Sequence, residues 1–263
     1  MHEKVFGHAA FRPLNAFLME CGVRGLGANG PVDVESELRQ ARVLLAKKTA
    51  PVVFDVGANI GEFSIAMRKH IPQAVVFAFE PSPKTFQELN MAAKAFDFIA
   101  LNMGCGGQSG SRILYDRQDS DGGAHATLVE NVIETLDKMA SRKIPVEIIT
   151  IDEFVKQRSI ACIDLLKIDV EGAELEVLAG ARDSIAGGKI AAVQFEFNEM
   201  NTISRTFMAD FFAILPGYSF FRIGLRSLIP LHRETSAFYN EIFAYQNVLA
   251  ISNPGQARVE ART

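Results

Sequence analysis

The sequence predicts a doubly wound α/β domain, in which helices cover both faces of a central sheet. From residue 51 onwards, short apolar runs alternate with longer amphipathic stretches. Runs that are apolar at every position suit strands buried on both faces, and their alternation with helical stretches is typical of βαβ units. The predicted strands lie at 52–56, 75–79, 98–101, 163–168 and 190–197.

Helical stretches connect these strands. The spacing of hydrophobic residues predicts helices over 60–70, 84–95 and 172–186. We expect the last of these helices to end at Gly187 and Gly188, because glycine readily adopts the backbone conformation that closes a helix.

The rest of the chain has a less regular pattern. Glycines are frequent over 104–145, where we expect a substrate lid that contains a helix over about 127–141, since long insertions at the carboxyl edge of a sheet commonly cover a ligand. A helix near 204–214 and aromatic-rich strands near 218–223 and 242–251 are predicted to follow.

Two amphipathic helices are predicted before the sheet, over residues 9–20 and 35–48, and each presents one apolar stripe that we expect to pack on the following domain. We therefore divide the chain into an N-terminal helical extension (1–50), a main cofactor-binding domain (51–252) and a flexible tail (253–263).

Composition excludes several classes of function. The 27 Lys and Arg residues against 31 Asp and Glu residues give a formal charge of -4, so we expect no nucleic-acid partner. An uninterrupted apolar stretch of about 18 residues is absent, which argues against a membrane span. Cys21, Cys105 and Cys162 are far apart, which indicates neither a disulfide framework nor a metal site and favours a reducing cytoplasm.

The most distinctive motif is the turn that follows the first strand. The sequence FDVGANIG ends an apolar run with Asp55 and then places Gly57, Asn59 and Gly61 before a helix. Glycine, and asparagine after it, accept positive φ and let the backbone approach a ligand, so we expect a nucleotide-cofactor turn. The dinucleotide pattern G-x-G-x-x-G is broken by Asn59 and Glu62, which disfavours NAD.

Acidic residues follow two further strands. Glu80 comes after the strand at 75–79, where an acid can accept hydrogen bonds from both ribose hydroxyls of a cofactor. Asp169 and Glu171 follow the strand at 163–168, and the carboxyl ends of neighbouring parallel strands meet at one edge of a sheet. We attribute Glu174 and Glu176 to stabilisation of the helix dipole alone.

Five segments together resemble a known family. FDVGANIGEFS, FEPSP, TIDEF at 150–154, LLKIDVEGAELEVLAGA at 165–181 and FEFNE at 195–199 are similar, in order and spacing, to the FkbM family of S-adenosylmethionine-dependent methyltransferases. The resemblance covers about residues 35–251.

This resemblance implies a class I methyltransferase fold, which is Rossmann-like, with a seven-stranded, mostly parallel sheet. It also implies O-methylation of a hydroxyl on a sugar-containing or polyketide-type molecule, and therefore a small-molecule or glycan acceptor. Asp55, Gly57, Asn59 and Gly61 match the methionine-binding turn. Glu80 matches the ribose-binding acid. The loop near adenine corresponds to Asn102 through Gly104.

Methyl transfer to a hydroxyl benefits from a base that removes the proton. Asp169 is the first candidate for this base and Glu171 the second. An alternative use of these acids is a Mg²⁺ site formed by Asp169 with Glu196, Asn198 or Glu199, since Mg²⁺ prefers oxygen ligands. Strand alternation separates Glu196 and Asn198 from Glu199, so we expect only one of these two sets to face the cleft, and Mg²⁺ is the less favoured interpretation.

Two other functions stay open at this point. The same fold could serve a catalytically inactive cofactor-binding module, because fold alone does not establish turnover. An NAD-dependent oxidoreductase is the weaker alternative, because Asn59 and Glu62 break the dinucleotide-binding pattern. The sequence has no motif that identifies an oligomeric state.

Overall fold

An eight-stranded sheet forms the centre of the protein in the computed structural model, which describes residues 12–28, 34–119, 126–224 and 227–253. The described strands are β1 (Val52–Val56), β2 (Val75–Phe79), β3 (Ile99–Leu101), β4 (Gly104–Cys105), β5 (Gly110–Arg117), β6 (Ser141–Ile149), β7 (Leu165–Ile168), β8 (Ala192–Phe197), β9 (Tyr218–Ile223), β10 (Leu228–Leu231) and β11 (Gln246–Ser252).

Helices cover both faces of this sheet. Those described are α1 (Arg12–Gly25), α2 (Val34–Leu45), α3 (Glu62–His70), α4 (Pro83–Phe96), α5 (Ile151–Gln157), α6 (Glu174–Ala179), α7 (Arg182–Ala186), α8 (Met200–Ser204), α9 (Met208–Ile214) and α10 (Ala237–Asn240), with one π-helical turn at Ile133–Asp137. None of the helices in the described part of the chain has the length and apolar character needed to cross a bilayer.

The strand order is β10-β9-β11-β8-β7-β1-β2-β3. Strands β3, β2, β1, β7 and β8 pair in parallel, whereas β11 is antiparallel to both β8 and β9. The predicted doubly wound α/β class is therefore confirmed. The expected seven strands become eight in the described chain, because β10 pairs with β9 and adds an outer strand.

Alternate residues of the central strands fill two separate cores. On one face, Phe154 packs edge to face against Phe54, Phe77 and Phe79, with ring centroids 5.5, 5.4 and 4.9 Å apart. On the other face, Val53 belongs to a second cluster with residues of α2, α3 and α4. Burial on both faces explains why these strands are apolar at every position.

The N-terminal helices differ in how they pack. Leu38, Ala41 and Leu45 of α2 are buried in the second core cluster, as expected. The expected packing of the α1 stripe is wrong, since Phe17 is 61% and Leu18 54% exposed. The assignment of 1–50 and 253–263 as an extension and a tail stays a prediction, and residues 1–11 and 254–263 lie outside the described residues.

The predicted helix over 127–141 is wrong. Only one π-helical turn forms there, and β6 begins at Ser141 and pairs antiparallel with β5 and parallel with β4. These three strands form a separate small sheet. Part of the expected lid segment, residues 120–125 including His125, lies outside the described residues.

The predicted helix over 172–186 is two helices, α6 and α7. At the break, a Cβ atom on Gly180 would lie 2.1 Å from the carbonyl oxygen of Gly106 and 3.2 Å from Cβ of Thr150. The helix therefore breaks where Gly180 contacts Gly106, the residue after β4, and only glycine allows that approach.

We expect Gly180→Ala to lower the free energy of unfolding by about 2–3 kcal/mol, because the added methyl group overlaps rigid backbone. Urea unfolding followed by circular dichroism measures the change. Gly107→Ala is the matched control, since its Cβ would meet its nearest atom at an ordinary 3.5 Å. Equal stability of the two variants would contradict the proposed role of Gly180.

Candidate active site

The FDVGANIG motif and the KIDVEGAE motif meet where β1 and β7 end. The strands pair with Asp55 opposite Lys167 and Val56 opposite Ile168. β2 and β3 extend the sheet on the side of β1, and β8 extends it on the side of β7. Strand order thus reverses between β1 and β7, and in open α/β sheets ligands bind at the carboxyl edge of such a switch point.

The turn after β1 lies in close contact with the turn after β7. Gly57 has a φ of 79°, and a Cβ atom at this position would lie 1.7 Å from the carbonyl oxygen of Asp169. The N–H groups of Gly57 and Ala58 donate to the carbonyl oxygen of Phe79 at 3.0 and 2.9 Å. The turn is therefore fixed between the ends of β2 and β7, and only glycine fits at position 57.

Glu80 follows β2 and is buried beside the same turn. Its Oε2 accepts a hydrogen bond from the N–H of Asn59 at 3.0 Å, and its Oε1 accepts one from the N–H of Ser82 at 2.8 Å. Burial raises the pKa of Glu80 to about 7, although both hydrogen bonds oppose this rise. Glu80 therefore connects the β1 turn to the start of α4.

A buried ammonium group joins the two strand ends. The Nζ atom of Lys167 lies 3.0 Å from Oδ2 of Asp169 and 3.7 Å from Oδ1 of Asp55. Ser64 donates from Oγ to Oδ2 of Asp55 at 2.6 Å, and the Phe63 ring lies 5.3 Å from Nζ. Burial disfavours the charged lysine, but the carboxylates of Asp169 and Asp55 outweigh burial and raise the pKa of Lys167.

The turn after β7 is held by an acid that is itself buried. Oε1 of Glu174 accepts hydrogen bonds from the N–H groups of Gly172 and Val170, at 3.0 and 3.3 Å. Glu171 has a φ of 57°, and its carbonyl oxygen accepts a hydrogen bond from Oγ1 of Thr127 at 2.7 Å. These contacts hold Glu171 in the left-handed conformation, which is costly for a residue other than glycine.

A first cavity lies between these turns. Its lining includes six of the nine predicted site residues, namely Gly57, Asn59, Glu80, Gly104, Asp169 and Glu171. The side chains of Val56, Leu114 and Leu128 give it apolar walls. The structure therefore brings together the β1 turn, the acid after β2 and both acids after β7.

Three predicted cofactor-binding residues are not among the lining residues of this cavity and contact other parts of the protein. Asp55 is fully buried against Ser64 and Lys167. Gly61 makes room for Leu89, because a Cβ atom there would lie 2.8 Å from Cδ1 of that leucine. Asn102 donates from Nδ2 to the carbonyl oxygens of Glu80 and Pro81, at 3.0 and 3.1 Å. A direct cofactor contact by these three residues stays a prediction.

A second cavity, of about 690 Å³, opens from the same turns. It shares Gly57, Asn59, Asp169 and Glu171 with the first cavity. Its other described lining residues lie at the end of β8 and in the segments that follow β8 and precede β11. They are Glu196, Asn198, Glu199, Met200, Phe243, Ala244 and Tyr245. Asp169 and Glu171 therefore lie at the boundary between two spaces.

Comparison with known proteins agrees with this geometry. A family model for the methyltransferase FkbM domain matches residues 55–220. The chain belongs to the FkbM methyltransferase family. Membership confirms the resemblance found in the sequence and the methyltransferase type of the fold, and it does not favour the NAD-dependent alternative.

Several curated methyltransferases share part of this sequence. Methyltransferase sdnD of Sordaria araneosa is 32% identical over 157 residues, covering 49% of this chain and 60% of that protein. The 31-O-demethyl-FK506 methyltransferase FkbM of Streptomyces tacrolimicus is 31% identical over 51% of this chain and 60% of its own. The hexuronic acid methyltransferase AglP of Haloferax volcanii is 29% identical over 62% and 63%. The matches span about six tenths of these relatives' length.

The described residues of this FkbM-family protein give no support to the Mg²⁺ interpretation. Among the described residues, no group of three or more His, Cys, Asp or Glu side chains is placed to hold a metal ion. The amide Nδ2 of Asn198 donates to Oε1 of Glu196. The expectation that only one set faces the cleft is wrong. Glu199 is the N-cap of α8 and lies beyond the end of β8, where strand alternation no longer applies, and it lines the second cavity with Glu196 and Asn198.

Sequence reasoning missed two buried charges. Lys167 is a charged residue within an apolar strand, and such a charge requires a partner, so its position was a usable indication. Glu174 was attributed to the helix dipole, but it is 1% exposed and organises the turn after β7. Its position two residues after Gly172 gave no indication of that role.

Three buried glutamates, Glu80 and Glu174 of this site and Glu37 of α2, predict a pH-dependent stability. Burial raises the pKa of Glu37, Glu80 and Glu174 to about 7, so the folded state binds their protons more tightly than the unfolded chain. The free energy of unfolding should therefore fall as pH rises from about 5 to about 7.5.

Glu174→Gln should reduce this fall by about 1–2 kcal/mol, because one pKa unit corresponds to about 1.4 kcal/mol. Urea unfolding at the two pH values measures it. Glu176→Gln, an exposed acid of the same helix, should leave the fall as in the wild type. An unchanged pH dependence in Glu174→Gln would show that Glu174 is not the buried titrating group.

Proposed function

We propose that this FkbM-family protein is an S-adenosylmethionine-dependent O-methyltransferase that acts on a hydroxyl of a small-molecule or glycan acceptor. The observation that carries the proposal is the first cavity, where buried Glu80 and the β1 turn face Asp169 and Glu171. Family membership supports methyl transfer. The names of two relatives, which refer to FK506 and to hexuronic acid, support a sugar-containing or polyketide-type acceptor.

The residues of the first cavity fit the cofactor. The two oxygens of Glu80 keep lone pairs beyond those used by Asn59 and Ser82, so the carboxylate can accept hydrogen bonds from ribose hydroxyls. The apolar walls suit the adenine ring. S-adenosylmethionine, when bound, supplies a methyl group that its sulfonium already activates. The protein then has to align the acceptor and remove a proton, and alignment alone can contribute about 7–11 kcal/mol.

We assign proton removal to Asp169, with Glu171 as the second candidate. Both line both cavities, so their carboxylates lie between the proposed cofactor and acceptor positions. Lys167 occupies Oδ2 of Asp169 at 3.0 Å, so we assign Oδ1 to the acceptor hydroxyl. Glu196 is unsuited to this role, because burial and then the charges of Asp169 and Glu171 raise its pKa to about 10.

The second cavity is the proposed acceptor site. Its described lining contains carboxylates and aromatic rings and no Lys, Arg or His, which suits a hydroxylated acceptor and repels a phosphate backbone. We therefore maintain that nucleic acid is not the acceptor. All three cysteines are free, in keeping with the proposed cytoplasmic location. We do not assign a metal to the reaction.

Cofactor affinity should depend on pH through Glu80. With a pKa of about 7, its carboxylate is mostly protonated at pH 6 and mostly ionised at pH 8, so S-adenosylmethionine should bind about tenfold more weakly at pH 6. Calorimetric titration measures this. Glu80→Gln should bind weakly at both pH values. Affinity that is independent of both pH and Glu80 would remove the proposed ribose contact.

Substitution at Asp169 separates catalysis from cofactor binding. Asp169→Asn should lower kcat by about 10²–10⁴-fold, because the base is lost, and it should lower S-adenosylmethionine affinity much less, because asparagine keeps the size of the side chain that lines the first cavity. Formation of S-adenosylhomocysteine with hydroxylated acceptors measures the rate, and Glu171→Gln and exposed Glu153→Gln are the comparison variants. A wild type that binds S-adenosylmethionine but methylates no acceptor would instead support the inactive-module alternative.

A further inference from the structure

Tyr245 stands out among the residues of the second cavity because its hydroxyl group belongs to a buried polar network. Glu37 of α2 lies in the core, where its Oε1 accepts a hydrogen bond from Nδ2 of Asn247 at 3.1 Å and its Oε2 accepts one from Nε2 of Gln194 at 3.2 Å. Nδ2 of Asn247 also donates to the hydroxyl oxygen of Tyr245 at 3.4 Å. The network thus connects α2 to the wall of the second cavity.

The chemistry of these groups fixes the direction of the Tyr245 hydroxyl. Glu37 is mostly ionised at pH 8, because its pKa is about 7. An ionised carboxylate only accepts hydrogen bonds, so the amide of Asn247 faces it with Nδ2, its donor. Asn247 is 4% exposed, and it uses one N–H for Glu37 and the other for Tyr245. Since the hydroxyl oxygen of Tyr245 accepts there, its single hydrogen points elsewhere. Tyr245 is 37% exposed and lines the second cavity, so that hydrogen is available to a ligand.

The phenol keeps this hydrogen at neutral pH. Burial, followed by the negative charges of Glu196 and Glu37, raises the pKa of Tyr245 above its ordinary value. Tyr245 is therefore a hydrogen-bond donor in a cavity that also contains the carboxylates of Asp169, Glu171 and Glu199, which accept.

We propose that Tyr245 binds the methyl acceptor by donating a hydrogen bond to one of its oxygen atoms, and that Asn247 and Glu37 are positioning residues that orient the Tyr245 hydroxyl. This inference rests on the proposed function. Glu37, Tyr245 and Asn247 all lie outside the matched family region at 55–220. Segments before and after that region would therefore shape acceptor recognition.

Binding of a defined probe tests the donor role. The probe is methyl α-D-glucopyranoside, measured by saturation-transfer NMR with the full chain bound to S-adenosylhomocysteine at pH 8. Tyr245→Phe, which keeps the ring, should weaken glucoside binding about three- to tenfold, as expected for one hydrogen bond. S-adenosylhomocysteine affinity should stay unchanged. Absence of glucoside binding to the wild type, or equal binding to Tyr245→Phe, would overturn the inference.

A test of the positioning roles of Asn247 and Glu37 must measure hydrogen bonding at the Tyr245 hydroxyl itself, because activity alone could change for other structural reasons. In protein labelled with [ζ-¹³C]tyrosine, Tyr245→Phe assigns the Tyr245 resonance, whose shift reports hydrogen bonding at the hydroxyl. Asn247→Leu and Glu37→Ala should move it and weaken glucoside binding. Glu37→Gln keeps an accepting oxygen and should restore both properties toward wild type. Gln157→Ala, in an exposed pair on α5, is the control that should change neither.

Methyl transfer to the same glucoside is measured in parallel and separates the two proposals. Transfer by the wild type with a higher KM and similar kcat in Tyr245→Phe supports both. Glucoside binding that depends on Tyr245 without any transfer supports the binding role and counts against the proposed function. An unmoved Tyr245 resonance in Asn247→Leu would overturn the positioning role whatever the activity.

Discussion

A buried ammonium group between two carboxylates is the interaction on which the cleft depends. An isolated charge in the apolar core would cost several kcal/mol, and the contacts of Lys167 with Asp169 and Asp55 offset that cost. Asp55 and Lys167 are also register partners on neighbouring strands. A slip of one residue would turn one of these charges toward the opposite, apolar face, so the pairing also fixes where the two functional turns begin.

The parallel half of the sheet could be predicted because its strands are buried on both faces and are apolar throughout. The region at 104–149 could not. Leu128, Val132 and Ile133 recur at helical spacing, which favoured a helix, yet the residues around them pack on a sheet whose pairing joins distant segments. The short strand β10 was missed for a related reason, because an outer strand is defined by its partner more than by its own composition.

In the candidate site, too, some residues could be predicted from the sequence and others could not. Gly57, Glu80 and Asp169 were found because each follows an apolar strand, and the carboxyl edge of a parallel sheet brings such positions together. The sequence could not show that the side chains of Asp55 and Asn102 bind to other parts of the protein, since both occupy motif positions and only side-chain direction distinguishes them. Glu37 is separated from Asn247 by 210 residues, and no local pattern joins them.

The position of β11 has a consequence for folding. This strand follows every other described strand in sequence, yet it pairs between β8 and β9. During synthesis, β1, β2 and β3 can assemble from local units, whereas the antiparallel half cannot become continuous until Ser252 has left the ribosome. Such non-local pairing slows folding. Glu37 gains Asn247 as its partner only when β11 is in place, so the polar network that includes Tyr245 cannot form before that strand has been synthesised.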